Sequence, residues 1–377
     1  MSSNPLENVP NPAGQPFGGN PEEPGAVSSE WDQLTSGASA APTPTVSSGP
    51  PKYAAPPAWL PQPEHIDNGY TVQTSGLTNV ADVIKSQVPI LDKAIGDLRS
   101  AWNSGALHGV VGGGFEADWF AGQRFDLMLD MIAKGFIPAA TQIAGLLTDA
   151  ARRLADTAST YAEAENRNHK AALGGQGGSI PNDGHNYAPR PVVQKVDIKP
   201  GYLGVPSWAE SKQQIMSILH NLEPGPCTEC GSLLLALGGA LNRVAQQVAD
   251  SGNQLAEHWQ GRAAAASIQA FQTMHDQAAT LAAEAIQVGN VLIWVGKDVF
   301  PVFKAIPSPV VATGLTEGIQ RLVTFDFDSV AADGASGDPA GNAKADQAAS
   351  QYLKALENYL DQAYNAIPSP IAGTPGS

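Results

Sequence analysis

The sequence predicts an all-α protein, an elongated four-helix bundle of two long antiparallel helical hairpins, with a disordered N-terminal arm and a loose C-terminal region. Long Ala- and Leu-rich stretches place apolar residues at alternating three- and four-residue spacing, which is typical of amphipathic helices. Two tryptophan-containing turns interrupt these stretches, one at Trp259 and Gly261 and the other at Trp119 and Gly122. Such reversals are typical of helical hairpins, because an indole covers the apolar seam and glycine permits a tight turn.

Residues 1–75 are the first segment, a predicted disordered arm. The whole chain has 377 residues with 39 Gly and 30 Pro, and the arm holds much of the Pro, Gly and Ser but few large aliphatic residues. Such a composition cannot bury enough apolar surface to offset the entropy of an ordered chain. We therefore expect the helical core to begin after the arm.

A helical hairpin is predicted for residues 77–170. Its first helix carries one apolar stripe, formed by Ile84, Val88, Leu91, Ile95, Leu98 and Trp102. Pro89 falls within this stripe, so the helix either kinks at this residue or begins there. The second helix follows Trp119 and continues past Pro138 to Tyr161, and its roughly 45 residues would span about 70 Å at about 1.5 Å per residue. Helices this long suit a rod-like hairpin better than a globular fold.

Residues 171–206 are rich in Gly, Pro and polar residues and are predicted to be a linker. A second hairpin is predicted for residues 207–305, with its reversal at Trp259. Both of its helices repeat apolar residues close to every seven positions, which favours coiled-coil-like side-by-side packing. Residues 306–377 are predicted to be loose apart from one helix near 348–364.

Net charge and hydropathy argue against several classes of partner. The formal net charge is −15, and an acidic chain repels the phosphates of nucleic acids and of anionic lipids. The most apolar stretch, residues 288–303, is interrupted by Asn290, Lys297 and Asp298, so no transmembrane segment is expected. The first residues carry no basic region and no apolar core, which argues against a Sec-type signal peptide and by itself favours the cytoplasm. Export would need a different route.

No motif in the sequence predicts an enzyme, a cofactor site or a metal site. Cys227 and Cys230 are the only cysteines, and no second pair completes a zinc site, so we expect two free thiols or a small local disulfide. The glycine cluster at residues 109–115 lacks the Gly-Lys-Ser/Thr of a P-loop. The acidic segment at residues 326–337 lacks both a required polar residue and the terminal Glu of a calcium-binding loop. A non-enzymatic protein is therefore predicted.

Tyr161 and Glu165 lie four residues apart near the end of the first hairpin and therefore share one face of the helix. Two interpretations are open for this pair and for Trp259. In the structural interpretation, both aromatic side chains close the apolar seam and Glu165 is a solvated charge. In the functional interpretation, another protein also recognises these residues.

These residues give the chain a resemblance to the WXG100 superfamily, whose members are helical hairpins with W-x-G at the turn and Y-x-x-x-D/E after the second helix. Tyr161-x-x-x-Glu165 on the first hairpin and Trp259-x-Gly261 on the second are distributed as in PE–PPE pairs. The distribution is still more similar to that of mycobacterial ESX-secreted proteins of the EspB type, in which both halves are fused in one chain. The first turn departs from the pattern, since it has Trp119-x-x-Gly122 in place of W-x-G, and Glu165 stands in place of Asp.

The resemblance implies export by the type VII (ESX) secretion system of actinobacteria and their relatives, which does not use a Sec signal peptide. It implies that Tyr161, Glu165, Trp259 and Gly261 belong to one composite export signal, presented at one end of the bundle to the secretion ATPase. The implied product is cytoplasmic before export and then acts as a scaffold or effector outside the cell or at the cell envelope. Self-association, or pairing with another WXG100-like protein, is a further implied partnership.

Two other functions fit the same sequence. An intracellular helical adaptor, or a secretion chaperone that binds a partner helix pair, would also lack a signal peptide. A toxin-carrying substrate is the least favoured, because the C-terminal residues hold no recognisable catalytic group and are few for an enzyme domain.

Overall fold

The computed structural model describes residues 72–112, 119–172, 197–200, 212–305, 339–369 and 371. Within these residues the chain forms helices and no strand, so the all-α prediction is confirmed for them. The predicted disordered arm, up to residue 71, lies outside the described residues. So do residues 173–196 of the predicted linker, residues 201–211, and residues 306–338 of the C-terminal region.

Seven α-helices and one π-helical turn make up the described part of the chain. They are α1 (Thr74–Asn103), α2 (Phe120–Ala172), α3 (Lys212–His220), α4 (Pro224–His258), α5 (Arg262–Trp294), the π turn (Val295–Val299), α6 (Phe300–Lys304) and α7 (Pro339–Ala366). Pro89 and Pro138 lie inside α1 and α2, so α1 begins at Thr74 and not at Pro89. With 53 residues, α2 extends over about 80 Å at about 1.5 Å per residue.

Helix α1 packs against both α2 and α4. It runs opposite to α2, since Arg99 contacts Thr141 and Trp102 contacts Asp130. Leu77, Ile84, Leu91 and Leu98 recur every seven residues and are all fully buried. Near the C-terminal end of α1, the indole N–H of Trp102 donates a hydrogen bond to Asp130 of α2, with a length of 2.8 Å. Because each buried Leu contributes about 2 kcal/mol relative to an exposed one, this stripe is a large part of what holds α1 in place.

The backbones of α4 and α5 approach each other closely along a stripe of glycines. Gly231 and Gly238 on α4 are seven residues apart and face α5. Gly289 on α5 and Gly296 in the π turn are also seven residues apart and face α4. A Cβ at Gly231 would lie 2.7 Å from the carbonyl oxygen of Gly289, and a Cβ at Gly289 would lie 2.8 Å from that of Gly231. The absence of side chains at these positions is therefore what permits the close approach of the two helices.

Short β-bridges fasten both ends of α1 to both ends of α4. At one end, called the Trp259 end, Val72 pairs with Trp259 in an antiparallel bridge. At the other, called the Trp119 end, Val111 pairs with Leu222, and the amide of Gly112 donates to the carbonyl oxygen of Asn221 over 2.7 Å. These bridges fix the register between the first and second halves of the chain.

The C-terminal helix α7 packs over the Trp119 end. The sequence predicts that residues 306–377 are loose apart from one helix near 348–364. The helix is longer than this, and within it Leu353, Leu356, Leu360 and Ala363 are at most 4% exposed, as is Ile367 directly after it. Tyr359 packs against Trp294 and Phe303, with ring centroids 5.9 and 5.7 Å apart. The described part of this region is thus ordered by its amphipathic helix.

One expectation about membranes is wrong. Two helical stretches in the described residues, Phe120–Lys170 and Ala263–Lys304, are long and apolar enough to cross a membrane, with mean hydropathies of 1.2 and 1.4 over their most apolar parts. The sequence criterion required an uninterrupted apolar run, whereas a helix tolerates isolated polar residues such as Asn290 within an apolar window. This finding rests on the length and composition of the two stretches. In this structure, 56% of the most apolar part of the first stretch and 61% of that of the second are buried.

Candidate functional site

The turn at Trp259 reverses the chain between α4 and α5 by means of one backbone conformation that favours glycine. The backbone of Trp259 is extended, with φ −143° and ψ 124°, and its amide still donates to the carbonyl oxygen of Leu255 over 2.9 Å. Gly261 has φ +113° and ψ −179° and directly precedes α5. Because a side chain would be strained at this φ, the W-x-G pattern is explained by the geometry of the reversal.

The structure brings Tyr161 and Trp259 together, although they belong to different halves of the chain. Their ring centroids are 6.4 Å apart and the ring planes are inclined at 74°, an edge-to-face arrangement that is favourable for aromatic pairs. Trp259 is only 2% exposed, whereas Tyr161 is half-buried and packs against the edge of the core. The phenol therefore forms the outer layer over the indole.

Helix α2 continues well past this aromatic pair. It ends at Ala172, so its last 11 residues extend about 16 Å beyond Tyr161 at about 1.5 Å per residue. Glu165 lies on the turn after Tyr161 and is exposed, as are Glu163 and His169. Arg167 forms an ion pair of 3.3 Å with Glu163 one turn earlier. The pairing supports the helical conformation of an otherwise polar, solvated segment.

Residues 72–76, called the N-terminal latch, cover another side of the Trp259 turn. Besides the bridge between Val72 and Trp259, the amide of Gln73 donates to the carbonyl oxygen of His258 over 2.8 Å. The side chains of Gln73 and His258 also meet, with Oε1 and Nδ1 2.8 Å apart. Gly76 lies under the His258 ring, and a Cβ at Gly76 would lie 2.7 Å from the Cβ of His258.

The other predicted motif, Trp119 and Gly122, lies at the opposite end of α2, about 60 Å from Tyr161 along the helix. Trp119 is fully buried, and its indole lies on Gly122, where a Cβ would be 2.8 Å from Cζ3 of the ring. The indole N–H donates to Oε1 of Glu357 in α7 over 3.2 Å. Glycine is thus needed at position 122 because the indole packs directly on it. The Trp119 motif is not part of the Trp259 end.

Burial and the neighbouring Asp361 carboxylate raise the pKa of Glu357 above its ordinary value, although the Trp119 hydrogen bond and Lys354 oppose the change. Asp361 is itself held by Arg124 over 3.3 Å, and the guanidinium of Arg124 also lies 4.1 Å from the ring centre of Tyr364. The N-terminal part of α2 is therefore joined to α7 by a half-buried network of charged groups.

We expect Glu357→Gln to stabilise the protein at neutral pH by about 1 kcal/mol or less. A raised folded-state pKa means that the stability contributed by Glu357 is fully present below its ordinary pKa and is lost as the pH rises through the raised value. Glutamine retains the acceptor for Trp119 without a buried charge. Thermal unfolding from pH 4 to pH 8 should show an advantage for the variant that grows with pH.

Glu257→Gln, which replaces an exposed carboxylate at the end of α4, is the matched control and should show no such growing difference. The assignment of a destabilising charge to Glu357 would be contradicted if the melting temperatures of the wild type and of Glu357→Gln changed in parallel across this pH range.

The described residues place no three His, Cys, Asp or Glu side chains close enough to hold a metal ion. Cys227 and Cys230 are free thiols and fully buried in the first turns of α4, so the alternative of a local disulfide is not what this structure contains. Burial raises the pKa of both thiols, that of Cys230 to about 12. They are protonated and poorly nucleophilic at neutral pH. The acidic segment 326–337 and residues 113–115 of the glycine cluster lie outside the described residues.

Sequence reasoning did not find the latch or the role of Glu357. Gln73 and Gly76 carry no pattern of their own, because their function depends on His258, 185 residues away from Gln73. Glu357 did leave a signal, since it is a carboxylate directly after Leu356 and one turn after Leu353 on the apolar side of an amphipathic helix.

No protein-family model matches the sequence, and no curated protein matches it. The partners implied by the resemblance, a secretion ATPase and a second copy or a related helical protein, gain no support from the described residues or from these comparisons.

Proposed function

We propose that the chain is a non-enzymatic substrate of a type VII secretion system, which acts after export as a helical scaffold or effector at the cell envelope. The observation that carries the proposal is the 6.4 Å contact between the rings of Tyr161 and Trp259. The two residues come from separate halves of the chain, as a composite signal requires, and Glu165 is exposed on the next turn of α2.

The finer architecture belongs to the same proposal. We take α1 with α2, and α4 with α5, as two antiparallel hairpins of an elongated four-helix bundle of the WXG100 type. The bridge between Val72 and Trp259 and the bridge between Val111 and Leu222 support this arrangement, because they align the hairpins at both ends. The bundle keeps Tyr161 and Trp259 at one end and leaves the last turns of α2 available to another protein.

The burial of Trp259 gives this residue a different role from Tyr161 and Glu165 in the proposed signal. An indole that is 2% exposed offers almost no surface to a partner, so in this conformation it acts by positioning Tyr161. Tyr161 and Glu165 then supply the accessible groups, a phenol edge and a carboxylate on one helix face. Gly261 serves the signal indirectly, since it permits the reversal that seats Trp259.

We expect Tyr161→Ala to lower export by about thirtyfold, the effect of losing one central aromatic contact in a recognition surface. The protein should remain folded, because Tyr161 is half-buried at the end of the bundle and α2 has 53 residues to hold it in place. The measurement is the amount of protein in the culture filtrate and in the cell lysate, with the helical content followed by circular dichroism.

Tyr161→Phe is the matched control, since it retains the ring that packs on Trp259, and it should be exported at least partly. Glu165→Gln tests the second accessible group in the same assay. Export of Tyr161→Ala at the wild-type level would refute the proposed signal. Wild-type protein that is confined to the lysate would instead favour the intracellular adaptor.

A further inference from the structure

The N-terminal latch, residues 72–76, is held to the Trp259 turn by few interactions. They are the bridge of Val72 to Trp259, the backbone hydrogen bond from Gln73 to His258, the side-chain contact between the same two residues, and the packing of the buried Gly76 under the His258 ring. Val72 is only half-buried and Gln73 is exposed. By contrast, the next residue of α1, Leu77, is fully buried in the core.

This difference allows the latch to lift while the rest of α1 stays in place. Helix ends that depend on exposed hydrogen bonds open at a much lower free energy than core helices do. Two net hydrogen bonds correspond to a closed-to-open ratio of about tenfold or somewhat more. Leu77, Val80 and Ile84 would keep α1 docked throughout, because all three are fully buried.

Lifting the latch would uncover the largest apolar group at this end of the molecule. Trp259 is covered on one side by Tyr161 and bridged on another by Val72. Because directly opposite residues of an antiparallel bridge have neighbouring side chains, removal of Val72 would expose that side of the indole to solvent. Tryptophan is among the residues that contribute most to protein–protein recognition, and it does so when it enters an apolar pocket of the partner.

We propose that the latch is an autoinhibitory contact, closed over the indole of Trp259, and that its release makes the Trp259 end competent for recognition by a protein with an indole-binding pocket. The inference rests on the proposed function, since the recognition in question is that of the export signal. A partner that needs the open state binds in proportion to the population of that state. Closure of the latch therefore limits recognition to the fraction of time that the latch is open.

Gly76→Ala is the variant that opens the latch. The added Cβ would lie 2.7 Å from the Cβ of His258, which no rotation of the His258 side chain can relieve. Gly96→Ala is the matched control on the same helix, because nothing lies within 4 Å of a Cβ at Gly96. His258→Ala opens the latch by a second route, without any clash, since it removes the ring that lies over Gly76 and the partner of Gln73.

The full-length variants are compared by backbone hydrogen exchange and by export into the culture filtrate. We expect Gly76→Ala and His258→Ala to raise exchange at residues 72–77 and 259–261, and to raise export by about tenfold. Gly96→Ala should match the wild type in both measurements. Unchanged exchange at these residues in His258→Ala would overturn the latch as a device, as would raised exchange without raised export.

The Tyr161→Ala substitution separates this inference from the function on which it rests. Combined with Gly76→Ala, it should return export to the low level of Tyr161→Ala alone, because both act on one signal. If Tyr161→Ala is exported normally in the otherwise wild-type chain, the proposed function fails. If Tyr161→Ala abolishes export while the opened latch changes nothing, the autoinhibition alone fails.

Discussion

Gly231→Ala is expected to lower the free energy of unfolding by about 2 kcal/mol, although alanine is the better helix former by about 1 kcal/mol. A Cβ at this position would lie 2.7 Å from the carbonyl oxygen of Gly289 and 3.1 Å from the amide nitrogen of Ile293. Both are backbone atoms, so α4 and α5 must move apart, and the packing along their whole interface is loosened.

Gly239→Ala provides the comparison within the same helix. Nothing lies within 4 Å of a Cβ at Gly239, so this change should leave stability unchanged or raise it by up to about 1 kcal/mol. Chemical denaturation of the two variants and the wild type measures the difference directly. Equal stability of Gly231→Ala and Gly239→Ala would show that the helices are not in the close contact described above.

The glycine stripe could have been read from the sequence, unlike most of the other contacts between elements. Gly231 and Gly289 lie equally far from Gln260 on either side, and each has another glycine seven residues away. A reversal at Trp259 therefore brings them face to face in any antiparallel hairpin with a short turn. Apolar periodicity was sufficient to predict that the described residues are helical, because this signal is local.

The contacts that depend on distant register could not be predicted in this way. Trp119 and Glu357 are 238 residues apart, and neither periodicity nor spacing specifies how α7 lies on α2. The same holds for the latch, whose bond between Gln73 and His258 exists only because α1 and α4 are aligned at both ends. Amphipathic helices that are distant in sequence can pack their apolar faces against each other in several ways. The polar contacts that select one of these arrangements form only in the folded structure.

The membrane prediction failed for a different reason, because it required an uninterrupted apolar run and a membrane-crossing helix does not. The stretch Phe120–Lys170 in α2 and the stretch Ala263–Lys304, from α5 to α6, are apolar enough to qualify as spans, and in this structure more than half of the most apolar part of each is buried. Hydropathy reports how much apolar surface a helix has, and the structure shows what that surface contacts in this conformation.

Trp119→Ala is expected to lower the free energy of unfolding by about 4 kcal/mol and to loosen α7. The side chain is fully buried, and its loss leaves a cavity between Gly122 and α7. Glu357 would also lose the indole N–H that partly offsets its burial, so the charged network that joins α7 to α2 would be weakened. Chemical denaturation measures the first effect, and hydrogen exchange over residues 349–366 measures the second.

Trp102→Ala distinguishes loss of this contact from loss of tryptophan in general. Trp102 also donates its indole N–H to a carboxylate, Asp130, over 2.8 Å, but it is half-buried and joins α1 to α2 instead of α7. We expect it to cost about 1 to 2 kcal/mol and to leave exchange in α7 at the wild-type level. If α7 stays equally protected in Trp119→Ala, then its docking depends on Tyr359, Trp294 and Phe303. Trp119 would in that case serve only to begin α2, where its indole lies on Gly122.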